Sequence, residues 1–169
     1  MAELESDALL RDVRNLLTYN RETGEFRWAA KPGRRIVLGS IAGCSKKGGY
    51  RCIQVSGRLI LAHRLAWVCV YGVWPLGMLD HINGDPSDNR IENLRVASCS
   101  QNQANSKRRA DNTSGYKGVT WHAARNRWSA RIKRSGSYVS LGYYDTAEAA
   151  HDAYVRGARA FFGEFANAG

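Results

Sequence analysis

The sequence predicts an α+β protein: a small N-terminal antiparallel sheet leads into a β-β-α unit, and a three-stranded antiparallel sheet packed on one helix follows. Three observations carry this. Residues 25–61 are short apolar runs broken by Gly and Pro, the pattern of strands joined by tight turns. Trp128, Ala130 and Ile132 alternate with Arg127, Ser129, Arg131 and Lys133, as in a strand with one buried face. Beyond Asp145 the period changes: Ala150, Ala153, Tyr154, Gly157, Ala158 and Phe161 recur at helical spacing and are expected to pack on that sheet.

Taken in order, the chain opens with a helical candidate carrying Leu4, Ala8, Val13, Leu16 and Leu17, stopped by turn residues at Asn20–Gly24. Strands are expected at Phe26 and Trp28, Ile36 to Ile41, Tyr50 to Val55 and Leu59 to Leu61, with Ser56-Gly57-Arg58 as a tight hairpin loop. His63 to Tyr71 is apolar almost all round and reads as a short buried helix ended by Gly72. His63, at its edge, is expected to orient a neighbour or satisfy a backbone group rather than to react.

The stretch Met78 to Asn102 organises the rest. Met78–Ile82 makes a strand, Asn83-Gly84-Asp85-Pro86 turns it, a second strand runs over Leu94–Ala97, and Ser98 or Ser100 caps a helix containing Gln101, Asn102 and Asn105. Asn83, Asp88 and Asn89 are expected to shape the loop. Phosphodiester hydrolysis needs a base for water, a cation for the phosphate charge and a group that fixes the base's tautomer. His81 suits the first task because its ordinary pKa lies near neutrality. Asp80 could ligate a hard cation with Asn102, and oxygen ligands favour Mg²⁺ or Mn²⁺ over zinc. Asn93 lies where its carbonyl could accept from the second ring nitrogen of His81.

The run from Leu61 to Asn102, with AHRLAW, then DHINGDPSDNRIENLR and the Asn of SCSQN, closely resembles the HNH homing-endonuclease family of phage genomes and mobile introns. The resemblance implies a β-β-α metal finger, with His81 as general base, Asn93 as its orienting residue, and Asp80 and Asn102 as metal ligands. The family's last position is often His; here it is Asn102.

Composition agrees with a nucleic-acid partner. The 169 residues leave room for one or two small domains, and a net charge of +10 favours a polyanion. No apolar run nears the ~20 residues that span a bilayer, and the acidic start is no secretory signal, so an intracellular, cytoplasmic protein without membrane attachment is expected. Cys44, Cys52, Cys69 and Cys99 form no C-x-x-C pair, which argues against a zinc ribbon.

Past Asn105 the charge is concentrated. Lys107, Arg108, Arg109, Lys117, Arg125, Arg127, Arg131, Lys133 and Arg134 meet only Asp111 as an acid. Strands are expected at Tyr116–His122, Arg127–Arg134 and Tyr138–Tyr143, with Asp145 capping the last helix and Glu148 completing a box. SGYKGVTWHAARNRWSARI and SLGYYDTAEAAHDAYVRGARAFFGEFA resemble the DNA-binding domain of plant ethylene-response factors (Apetala-two type). That resemblance implies a sheet laid in the DNA major groove, with Lys117, Arg131 and Lys133 near contacting places. Thr120 and His122 stand where plant members have Arg, so Trp121, Arg125 and Arg127 become candidate substitutes. The expected organisation is therefore an HNH nuclease domain with its β-rich lead over 1–105, a basic linker over 106–113 and a DNA-binding domain over 114–169. The expected protein is a metal-dependent homing-type endonuclease on double-stranded DNA, monomeric, without an obligate protein partner, nicking one strand. A non-catalytic DNA-binding regulator with a relic HNH fold is the competing reading, and RNA binding a third.

Overall fold

The computed structural model describes residues 2–169, with side chains from Asp7 onward; the side chain of Leu4, expected on the buried stripe of the first helix, lies outside the described residues. The chain divides into two compact units, one ending at Val96 and one running from Ala97 to Gly169. No helix among the described residues is long and apolar enough to cross a membrane.

In the first unit, helix α1 (Ala2–Leu16) buries Leu9 and Val13, and Leu17 continues their spacing into strand β1 (Leu17–Tyr19). Ala8 is one position off that stripe and is exposed, contrary to expectation. β1 pairs antiparallel with β2 (Phe26–Trp28). Asn20 shapes the connection, its Oδ1 accepting from the N–H groups of Glu22 (2.8 Å) and Thr23 (3.1 Å). A second sheet has the order β3 (Cys44–Ser45), β4 (Arg51–Val55), β5 (Arg58–Leu61). Val55 lies opposite Arg58, so Ser56 and Gly57 form a two-residue turn, both with positive φ (50° and 77°), the conformation that matches the twist of a hairpin. Helix α2 (Ala62–Tyr71) ends at Gly72, φ 73°, whose N–H donates to the Val68 carbonyl. Val13, Phe26, Ile53, Val55 and Leu65 are sealed in one core. β6 (Met78–His81) and β7 (Leu94–Ala97) form a two-stranded sheet.

The strand expected over Ile36 to Ile41 does not form. Residues 31–40 make a loop closed on itself by Ile36 N–H to Gly33 O (3.1 Å) and Ser40 N–H to Val37 O (3.2 Å), and only Ile41 bridges to Arg27. The β-branched residues meet strand propensity but find no partner edge before Gly39 turns the chain with φ 74°.

In the second unit, helix α3 (Cys99–Asn105) is capped by Ser98, resolving the choice with Ser100. Its hydroxyl accepts from Gln101 N–H at 3.2 Å while the Gln101 side chain accepts from Ser98 N–H at 2.8 Å, a full capping box. Strands β8 (Val119–His122), β9 (Arg127–Arg134) and β10 (Ser137–Tyr144) form an antiparallel sheet in the order β10-β9-β8. β8 starts at Val119, not Tyr116, because Gly118 turns the backbone at φ 74° and lies against Tyr154: a Cβ there would sit 2.1 Å from the ring. Helix α4 (Ala147–Phe162) covers one face of the sheet. Two details differ from expectation. Thr146, not Asp145, caps α4, its Oγ1 accepting from Ala149 N–H at 3.1 Å, while Asp145 pairs with Arg127 at 3.2 Å. Phe161 is partly exposed; Phe162 and Phe165 take the core places instead.

Ala97 and Ala104 share a core with Ile132, Tyr154, Ala158 and Phe162, so α3 is packed within the second unit. Its last carbonyls are captured from far along the chain. The Lys117 ammonium donates to Ala104 O (2.7 Å), Asn167 O (3.1 Å) and Ser106 O, and Asn167 Nδ2 donates to Asn105 O at 2.9 Å. Lys117→Met keeps the stem and removes the donors, so about 1–3 kcal/mol of stability should be lost through unsatisfied carbonyls. Urea unfolding should show this as a lower midpoint at unchanged m; an unchanged midpoint would mean that water replaces the ammonium at no cost.

Candidate active site and nucleic-acid face

β6 places Asp80 and His81 side by side, and the pleat sends them to different neighbours. Both are buried, at 3% and 5% exposure. Asp80 Oδ2 accepts from Arg95 Nε of β7 at 2.9 Å. The His81 ring stands edge-on to His63 of α2, with centroids 5.1 Å apart at 89°, and 5.9 Å from Tyr50 at 63°. His81 Nε2 lies 3.5 Å from Asn89 Oδ1, at the outer limit of a hydrogen bond.

Burial pushes both imidazoles down. His63 falls to about 4, through desolvation first, then the neighbouring His81 and Arg64. His81 is lowered by desolvation, against opposing pulls from Asn89, Asp80, Asp88 and Asp85. Burial thus favours the uncharged form of the His81 ring.

The loop after β6 is held by its own side chains. Asn93, in the short 3₁₀ turn before β7, is buried: its Oδ1 accepts from Asn83 N–H (3.0 Å) and its Nδ2 donates to Asn83 Oδ1 (3.0 Å) and Asp88 O (2.9 Å). Asp88 accepts from Arg90 at 2.7 and 2.9 Å and from Asn83 Nδ2 at 2.8 Å, and the Arg90 guanidinium holds its carboxyl down to about 2. Asn83 and Asp88 therefore shape the loop, as expected. Asn89 does more, because its side-chain oxygen is the one beside His81. The N-terminal hairpin holds it there: Tyr19 Oη donates to Asn89 O at 2.8 Å, and Gly24, φ 72°, comes so close that a Cβ would meet Arg90 N at 2.6 Å.

Asn102 lies on α3, half-buried, its N–H bonded to Ser98 O at 2.9 Å. No three His, Cys, Asp or Glu among the described residues group into a self-contained metal cage. A hard divalent cation such as Mg²⁺ keeps most of its shell as water and phosphate oxygen and is suited to an oxygen donor such as the Asp80 carboxylate of the first unit. Asn102, in the second unit, carries an amide oxygen.

The register of the C-terminal sheet sorts the basic residues. Thr120 lies opposite Ser129, His122 opposite Arg127, Ser140 opposite Arg131 and Tyr138 opposite Lys133, all on the face away from α4. Arg127, Arg131 and Lys133 thus share an exposed face. Arg131 lies over Tyr138 (4.7 Å) and Arg125 over Tyr143 (4.6 Å), so two guanidinium groups are held by aromatic rings. Lys107, Arg108 and Arg109 are exposed in the connecting segment, with Arg109 in a solvent-screened pair with Asp111 at 2.9 Å.

Two residues expected as contacts, Lys117 and the half-exposed Trp121, stand apart from this face. Lys117 is half-buried on three carbonyls, where burial lowers it to about 8, so its ammonium is not presented to a duplex. Trp121 lies opposite Trp128 and packs edge-on to it at 5.1 Å, on the α4 side of the sheet. Alternation from Val119 dictates this. Reading by residue type missed Asn89, Arg95, Tyr50, Tyr138 and Tyr143; alternation along β10 marks Tyr138 and Ser140, but nothing local marks Asn89.

Residues 61–104 match the HNH endonuclease family model, and residues 114–164 match the AP2 domain. Protein 3.8 of Escherichia phage T7 is 33% identical over 105 residues, covering 62% of this chain and 86% of that protein.

The depressed His63 value has a pH consequence. Its folded pKa (about 4) lies below the unfolded one (about 6.5), so its contribution is fully present above pH ~6.5 and is lost as pH falls toward 4. His63→Phe should flatten the fall in urea midpoint between pH 7.5 and 4.5; an unaltered slope would show that His63 titrates normally. Tyr19→Phe should cost about 1–2 kcal/mol by leaving the Asn89 carbonyl unmatched, and a midpoint equal to wild type would detach the N-terminal hairpin from the loop.

Proposed function

We propose, from the premise that this chain belongs to one family with phage Protein 3.8 and carries an HNH endonuclease domain ahead of an AP2 domain, that it is a metal-dependent DNA endonuclease of homing type. The observation that carries the reading is the environment of His81, a buried imidazole following Asp80 on β6, in a chain whose C-terminal unit exposes a basic sheet face. His81 takes the proton of a water molecule as its oxygen bonds to phosphorus and the bond to the leaving oxygen breaks. Asn89 and the His63 edge hold the ring, and Asn93 acts as a positioning residue through the loop it ties together. Asp80 and Asn102 would hold Mg²⁺ or Mn²⁺, which would supply positive charge against the phosphodiester. Arg125, Arg127, Arg131 and Lys133, with Lys107, Arg108 and Arg109, bind double-stranded DNA. The protein acts as a monomer inside the cell, and one centre per chain favours a nick in one strand.

The Asp80–Arg95 pair favours a second reading, a DNA-binding regulator with a relic nuclease fold, because an arginine already neutralises the carboxylate. Supercoiled plasmid with Mg²⁺ or Mn²⁺, with and without chelator, separates the two. Wild type should relax it, His81→Ala should lose roughly 10²–10⁴-fold in rate, and Asp80→Ala should abolish cutting with DNA affinity nearly intact. Wild-type binding with every plasmid left intact across several metals would leave the regulator.

A further inference from the structure

From Phe26 to Leu79 the first unit carries nine Lys or Arg and no Asp or Glu. Lys31, Arg34, Arg35, Lys46 and Lys47 of this run are exposed. The loop over residues 31–41 sets Arg34 and Arg35 directly before three aliphatic residues, and Val37 and Leu38 stand 67% and 52% exposed. Gly39 N–H to Trp28 O (2.8 Å) and Trp28 N–H to Ser40 O (3.1 Å) anchor the loop to β2, so its form is fixed. An open groove of about 850 Å³ is lined by Arg35, Ile36 and Val37 of the loop together with Trp28, Cys52 and Leu59.

We propose that this loop is a second DNA-binding element, on the nuclease unit, that enters a duplex minor groove with Arg34 and Arg35 on phosphates and Val37 and Leu38 as an apolar wedge between base steps. Proteins that open a minor groove combine these two features: cations that follow its negative potential and aliphatic side chains that unstack a step. A protein partner is disfavoured by charge, since the core of a protein interface is depleted in charged residues and this tip is flanked by cations, with the neighbouring Glu25 carboxylate already paired to Arg27 at 2.9 Å. The proposal rests on the DNA-endonuclease reading only in taking DNA as the partner; it does not require cleavage.

The test uses full-length protein in chelator and a mixed-sequence duplex of about 30 base pairs, labelled at both ends for energy transfer. For Arg34→Ser/Arg35→Ser, the slope of log K against log salt should fall by about 1.8, near 0.9 for each lost phosphate contact. For Val37→Ser/Leu38→Ser, the slope should hold while affinity falls several-fold and the end-to-end transfer caused by bending is reduced. Both pairs are exposed, so melting temperatures should match wild type. Wild-type affinity and slope in the arginine variant would overturn the proposal and give the surface to another partner. A changed slope with unaltered bending and affinity in the aliphatic variant would overturn the minor-groove wedge. If wild type bends and binds the duplex but never cuts DNA when metal is restored, the nuclease reading alone falls; if wild type does not bind duplex at all, both fall.

Discussion

The HNH unit is built around two facing imidazoles, His63 and His81, both buried. Burial of His81 among β6, α2 and the loop after β6 lowers its pKa and favours the uncharged ring, the form that can accept a proton. A charge on either ring would disfavour a charge on the other. The dense hydrogen bonding of Asn83, Asp88 and Asn93 follows from the burial of His81, since a loop rich in polar groups can lie over a buried ring only if those groups satisfy one another.

The N-terminal segment belongs to this arrangement. Its hairpin contributes a tyrosine hydroxyl and a glycine at the one place where the loop backbone must be approached most closely, so Asn89 is positioned by residues some seventy places earlier. The family match begins at residue 61, yet the backbone of Asn89, whose side chain lies 3.5 Å from His81 Nε2, is held by residues that precede it.

Much of this was legible in the sequence where a single face is buried. The alternation in Arg127–Arg134 set the inward and outward residues correctly, because a one-residue slip would put Ala130 and Ile132 in water. The Ser98 capping box and the Gly72 stop are local chemistry and read directly. What was not legible is choice among equivalent groups. Asn89 and Asn93 offer the same amide; Asn83 and Asp88 engage that of Asn93, while Tyr19 and Gly24, remote in sequence, hold the backbone of Asn89. Asp145 and Thr146 are both good caps, and an ion pair with Arg127 draws the first away. Ile36 to Ile41 has strand composition, but composition does not supply a neighbouring edge. Lys117 looks like any surface cation until the carbonyls around it are known.

Those carbonyls carry a consequence for biosynthesis. The helix that bears Asn102 ends on groups that wait for Lys117 and for Asn167, the latter 62 residues beyond its partner Asn105. As the chain leaves the ribosome, the last segment of the HNH motif therefore emerges before its C-terminal cap exists. A nascent chain that stalls before the reading module lacks that cap, so the completed motif and the means of addressing it arrive together.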